Sequence, residues 1–192
     1  MSKVRFGLKN VHYAVLTETE SGGVISYSWA TPVAVPGAVS LTLDGSGDVN
    51  NFYADNMVYF ASKGATSFGG DLEVAKVPDA MLTDIFGYTL DSTAKVLIKN
   101  AQKTPVRFAL LYQIDGDADE QLYVLYNVLG TRPGIGSTTN TDTKTPQTQT
   151  SNISADPLAN GDVFARTTNT TPSATKSGWF TSVFQEAGAV TT

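Results

Sequence analysis

Cysteine is absent from the 192 residues, and histidine occurs once. Neither a disulfide framework nor a cysteine-ligated metal site is available, so folding rests on side-chain packing and backbone hydrogen bonds. Charge is scarce as well: Asp, Glu, Lys and Arg make up 16% of the chain, with a formal net charge of −5. The few cations are scattered from Lys3 to Lys176. A protein that grips nucleic acid needs clustered cations to neutralise phosphates and release counterions, so tight DNA or RNA binding is not expected. Long apolar runs are missing too. The first ten residues lack the continuous apolar stretch of a secretion signal, and no later segment holds the ~18 apolar residues of a spanning helix. The expectation is a protein made and kept in a cytoplasm, with no membrane partner.

Catalytic constellations fail one by one. His12 lies in the alternating run Val11-His-Tyr-Ala-Val15 with no Gly-x-Ser-x-Gly elbow or cysteine nucleophile beside it, which reads as a half-buried strand histidine. No P-loop or dinucleotide fingerprint is present. Asp115-x-Asp117-x-Asp119 matches the first carboxylates of a calcium loop, but its sixth position holds Glu120 instead of glycine and its twelfth holds Tyr126 instead of glutamate. A solvated hairpin tip is the better reading. The chain is therefore expected to be no enzyme, with no catalytic residue, no metal and no cofactor.

What the chain does have is alternation. Val11 to Leu16 and Val24 to Trp29 flank the turn Glu20-Ser21-Gly22-Gly23, which reads as a hairpin. Val39 to Leu43, Met57 to Ala61, Leu72 to Lys76, Val96 to Ile98, Val106 to Ile114 and Leu122 to Leu129 follow, giving eight expected strands before residue 130. One short helix, about residues 78–86, interrupts them. Pro78 fits a first helical position and Gly87 the left-handed position past the end, while Met81, Leu82, Ile85 and Phe86 form one apolar stripe between. A helix this short must dock on the sheet. At this length one well-buried core is expected, so residues 1–192 read as a single mainly β domain: a β-sandwich or partly closed barrel with one flanking helix.

Two segments depart from this pattern. Residues 44–56, Asp-Gly-Ser-Gly-Asp-Val-Asn-Asn-Phe-Tyr-Ala-Asp-Asn, combine turn formers with two adjacent aromatics. Phe52 and Tyr53 either open the next strand and fold back on the domain, or form the contact surface of a projecting loop. Between Ser137 and Asn152 lie seven threonines and almost nothing apolar. That composition permits a linker, yet threonine favours pleated structure. The preferred reading is a polar hairpin over 144–169, with Thr145 to Ser154 polar on both faces, the turn at Asp156 to Gly161, and Gly134 to Asp142 as a mobile connection. Gly178 to Phe184 regains alternation and is expected to pack before a frayed tail.

Several stretches, in this order, resemble the major tail proteins, or tail tube proteins, of long-tailed, non-contractile bacteriophages of Gram-positive hosts. They are Val4-Arg-Phe-Gly-Leu-Lys-Asn-Val-His-Tyr-Ala-Val15, Phe52-Tyr-Ala-Asp-Asn56, Leu72-Glu-Val-Ala-Lys-Val-Pro-Asp-Ala-Met-Leu-Thr-Asp-Ile-Phe-Gly87, and Asn160-Gly-Asp-Val-Phe-Ala165 after the threonine-rich stretch. The resemblance implies a structural virion protein that assembles into stacked, hexameric rings around a channel for the genome. It makes 44–56 the ring-stacking loop, with Asp44, Asp48, Asn50, Asn51, Phe52, Tyr53, Asp55 and Asn56 as self-assembly residues, and residues 1–10 and 176–192 terminal arms. The implied partners are further copies of the chain and the tape measure, tail terminator and distal tail proteins, with DNA only in transit. The implied location is the virion tail, after assembly in the host cytoplasm. Tubes of phage-derived bacteriocins or of type VI-like secretion would use similar rings. A carbohydrate-binding β-sandwich is the alternative from another class, and it would display clustered exposed aromatics, whereas Trp29 and Trp179 sit in alternating runs.

Overall fold

The computed structural model describes residues 7–47, 49–54, 56–63, 66–115, 121–139 and 146–186. Its first hairpin joins β1 (Leu8–Ser21) to β2 (Val24–Trp29). Gly22 and Gly23 make the two-residue turn with φ of +62° and +81°, the paired positive values that a right-twisted hairpin requires. Then come β3 (Val33–Ala34), β4 (Ala38–Ser46), β5 (Val49–Ala54), β6 (Met57–Lys63) and β7 (Ser67–Val74). After helix α1 (Asp79–Asp84) the chain forms β8 (Tyr88–Leu90), β9 (Leu97–Lys99), β10 (Phe108–Ile114) and β11 (Leu122–Gly130). Strands β12 (Gln149–Ala155) and β13 (Phe164–Arg166) and helix α2 (Ser173–Gly178) complete the order.

Nine strands form one antiparallel sheet in the order β2-β1-β10-β11-β12-β7-β4, with β3 added to β1 and β13 to β11. The fold is thus mainly β and sandwich-like. It is not a closed barrel, since β4 makes no ladder with β1. The sheet curls around one core that takes Tyr13 from β1, Phe108 and Leu110 from β10, Leu125 and Val128 from β11, Ile153 from β12 and Leu72 and Val74 from β7. Tyr112 and Tyr123 lie directly opposite on β10 and β11, their rings stacked at 5.1 Å.

Helix α1 closes this core from one end by burying Met81, Ile85 and Phe86. Pro78 caps the helix with extended backbone and is not its first helical residue, while Gly87 takes the expected left-handed conformation at φ +69°. The Tyr13 hydroxyl donates to Asp84 Oδ2 at 2.8 Å and pins the helix to the sheet.

The other face of β1, β10 and β11 carries a second cluster: Ala14, Ala109, Leu111, Val124 and Tyr126, covered by Leu158, Trp179 and Val183. Strands buried on both faces lose their alternation. That explains the near-continuous apolar runs of β10 and β11.

Several expectations need correction. Residues 144–169 do not form a hairpin. Strand β12 pairs with β7 along its length and with the last residues of β11, and β13 pairs with the first half of β11. Both run antiparallel to β11, so the chain continues in one direction along that edge and 156–163 is an excursion, not a turn back. Strand β12 is not polar on both faces, because Ser151, Ile153 and Ala155 are buried. Its hydroxyls and amide are spent on structure: Ser151 donates to the Thr131 carbonyl, and Gln149 Oε1 accepts from the Val77 N–H at 2.7 Å.

Helix α2 is a second helix, leading into the alternating segment Gly178 to Phe184, which packs as expected. The C-terminal arm is partly core, since Trp179 and Val183 are buried; residues 187–192 lie outside the described residues. Leu8 to Asn10 of the N-terminal arm belong to β1, and residues 1–6 lie outside the description. Residues 134–139 are exposed without regular structure, and 140–142 again lie outside.

The β4–β7 ladder carries the tightest backbone approach. A Cβ on Gly70 would stand 1.8 Å from the Thr42 carbonyl oxygen, whereas one on Gly69 would meet nothing within 4 Å. Gly70→Ala is expected to cost about 3 kcal/mol by overpacking, with Gly69→Ala close to neutral in the same thermal melt. Equal losses would show that strand propensity, not steric contact, sets the demand.

Burial, then the hydrogen bond and charge of Asp84, push the Tyr13 phenol far above its ordinary value. Burial, then the charges of Asp162 and Glu186, push Tyr126 up to about 12. The native state keeps these protons after the unfolded chain has released its own, so the stability present below about pH 10 is lost as pH rises through about 12. Melting temperature is expected to fall across that window, and less steeply in Tyr126→Phe. Identical slopes would exclude Tyr126 as a source.

Candidate functional site: a free-standing hairpin

Strands β5 and β6 pair with each other and make no ladder with the nine-stranded sheet. Their register runs from Val49 opposite Lys63 to Ala54 opposite Met57, with a bulge between Phe52 and Tyr53. Asn56 lies in the connecting turn at φ +61°, a left-handed conformation that asparagine tolerates better than most residues. Met57 and Tyr59, two apart on β6 and so on one face, are 62% and 72% exposed. Large apolar side chains this open, on a two-stranded ribbon that is marginal by itself, are an expense for an isolated molecule.

Compared with protein-family models and with curated proteins, the chain matches none.

The structure therefore redraws the segment expected as a loop. Asp44 lies within β4, exposed and opposite Gly69, while Asn50, Asn51, Phe52 and Tyr53 are strand residues of β5. Asn56 alone of the described residues occupies the turn, and Asp48 and Asp55 lie outside the described residues. The glycines and asparagines of 44–56 signal turns, but Val49, Phe52 and Tyr53 are strong strand formers with partners waiting in Val58-Tyr-Phe60, and pairing prevails. Met57 and Tyr59 were missed as site residues. Their signal was the alternation of the following strand, which reads as ordinary core.

The remaining candidates have structural duties. His12 is half-buried, its Nδ1 2.9 Å from the Asn10 carbonyl oxygen and its ring stacked on Phe180 at 4.7 Å. Asp115 forms an ion pair with Lys9 at 2.8 Å, and Asp117, Asp119 and Glu120 lie outside the described residues. Among the described residues no helix is long and apolar enough to cross a membrane.

Two further surfaces accompany the hairpin. The outer edges of β2 and β4 have no strand beside them among the described residues. Strand β2, Val-Ile-Ser-Tyr-Ser-Trp, carries no charge or proline to discourage another strand from pairing. The second small ribbon, β8 with β9, exposes Leu90 and Ile98 at 50% and 53%, beside Val96 at 53%.

Proposed function

We propose that this chain is the repeating structural subunit of a phage tail tube, assembling as stacked, hexameric rings whose channel conducts DNA from capsid to host. The observation that carries the proposal is the free-standing β5–β6 hairpin with Met57 and Tyr59 exposed. Among the described residues no other strand pairs with this hairpin, and a copy in the next ring can supply a partner. The open edges at the two ends of the sheet support the same reading. One edge is β2 and the other β4, so a head-to-tail contact between copies generates a ring when the rotation closes, and closure leaves no edge exposed. The resemblance in wording and order to tail tube proteins names the kind of tube. Net negative charge suits a channel wall along which DNA slides without being held.

On this reading the protein works in the virion tail, with itself and the other tail proteins as partners and no chemical step to perform. Negative-stain electron microscopy of the purified protein tests it. Rings or tubes of uniform width are expected. A population of single copies, unchanged at high concentration and after addition of tail tips, would overturn the proposal.

A further inference from the structure

A small cavity opens where β2 meets the second core cluster. Its walls include Tyr27 and Trp29 of β2, Tyr126 of β11, Asp162 of the 156–163 excursion and Glu186 near the C-terminus. Trp29 neighbours both tyrosine rings, with centroids 6.4 Å apart from Tyr27 to Trp29 and 5.7 Å apart from Trp29 to Tyr126. Their positions are fixed by backbone contacts. The Trp29 indole donates to the Tyr126 carbonyl at 3.0 Å, and the Tyr27 hydroxyl accepts from the Ala159 N–H at 3.1 Å. Asp162 is held by Asn160, whose side-chain amide donates to its Oδ2. Among the described residues no Lys or Arg lines the cavity.

Size decides what can enter. The cavity measures about 30 Å³, room for one group the size of a water molecule. A sugar ring is too large to enter it. A single –NH₃⁺ head is the right size. Aromatic faces present negative potential to a cation, and two carboxylates add to it. The upward push of Asp162 and Glu186 on the Tyr126 phenol reports the same sign of field at this place.

We propose that this cavity is a receptor for one primary ammonium group, presented either by a lysine side chain of a second copy of the chain or by a free aliphatic amine. The charged head enters between the rings and the carboxylates, and its alkyl stem leaves along the open mouth. Gln185, also in the wall, offers a neutral amide oxygen to a further N–H.

The test follows the Trp29 indole N–H in two-dimensional NMR, assigned with Trp29→Phe, while n-butylammonium chloride is added at constant ionic strength. A saturable shift is expected from butylammonium. Neither n-butanol, with the same stem and no charge, nor tetramethylammonium, too large for the cavity, should reproduce it. Glu186→Gln, at an exposed position, should weaken the apparent affinity about fivefold while leaving the fold intact. An equal response to butanol, a shift that never saturates, or full affinity in Glu186→Gln would overturn the proposal. The source of the head is read separately by adding butylammonium to multimers of the protein. Dispersal assigns the natural head to a lysine of a neighbouring copy, and unchanged multimers assign it to a free amine.

Discussion

With Phe52 and Tyr53 both changed to alanine, the subunit is expected to melt within about 2 °C of the parent and to form no tubes. Both residues lie on β5, which among the described residues ladders with β6 alone, so the nine-stranded sheet keeps every rung. Assembly is different. In the proposed assembly each ring would repeat the same contact in every copy, so one pair of truncations is multiplied around the interface, and buried aromatics commonly dominate such contacts. If instead the two rings served the fold of their own subunit, truncation would remove about 3 to 5 kcal/mol each. Thermal melting beside an electron-microscopy polymerisation assay separates the cases. A large fall in melting temperature, with tubes still forming from the folded fraction, would show that the hairpin aromatics serve the domain and not the stack.

Trp179→Ala is expected to do the reverse. Trp179 is 3% exposed, stacks on Phe184 at 5.6 Å, and donates from its indole to the Tyr123 carbonyl at 3.2 Å. Together with Leu158 and Val183 it roofs the face that carries Ala109, Leu111 and Val124. Its loss should cost about 3 to 5 kcal/mol, which for a domain of this size is a fall of roughly 6 to 20 °C in melting temperature. An unchanged melting temperature would restore the view of 176–192 as an arm that acts only between subunits. The contrast with the hairpin variant matters more than either value, because it assigns one aromatic site to assembly and the other to folding.

Much of the sheet was legible in the sequence, for reasons that differ by strand. Strands β10 and β11 are strongly apolar, β1 and β2 carry alternation, and Gly22-Gly23 dictates the first turn. Pro78 and Gly87 bracketed α1 within a residue or two. The illegible parts share a cause: their partners are distant. Val33–Ala34 is too short to show a period and is defined only by His12 and Tyr13 opposite. The inward residues of β12 include Ser151 and Ala155, small or polar side chains that hydropathy does not mark, and only its place between β7 and β11 makes them core. Helix α2 has no buried residue and hence no apolar stripe to announce it. Pro172 ahead of it was the one available sign.

The candidate site divides in the same way. The segment 44–56 drew notice through composition, but its extension through Met57 and Tyr59 needed the β6 register. The ammonium cavity was out of reach altogether. Its walls come from β2, β11, the 156–163 excursion and the C-terminal segment, which only the folded sheet brings together.

The ladder between β1 and β10 also sets a clock. Leu8 pairs with Ile114 and Val15 with Phe108, so β1 cannot find its inner neighbour until about a hundred further residues have been made. At 5 to 20 residues per second, synthesis imposes a delay of roughly 5 to 20 s. The β1–β2 hairpin can close within about 10 μs of emerging. Throughout the remaining interval Tyr13 and Ala14, destined for two different cores, have neither. Pairing so remote in sequence is slow even in a finished chain. The nascent subunit thus passes through a stage in which its strongest strand is its most vulnerable one.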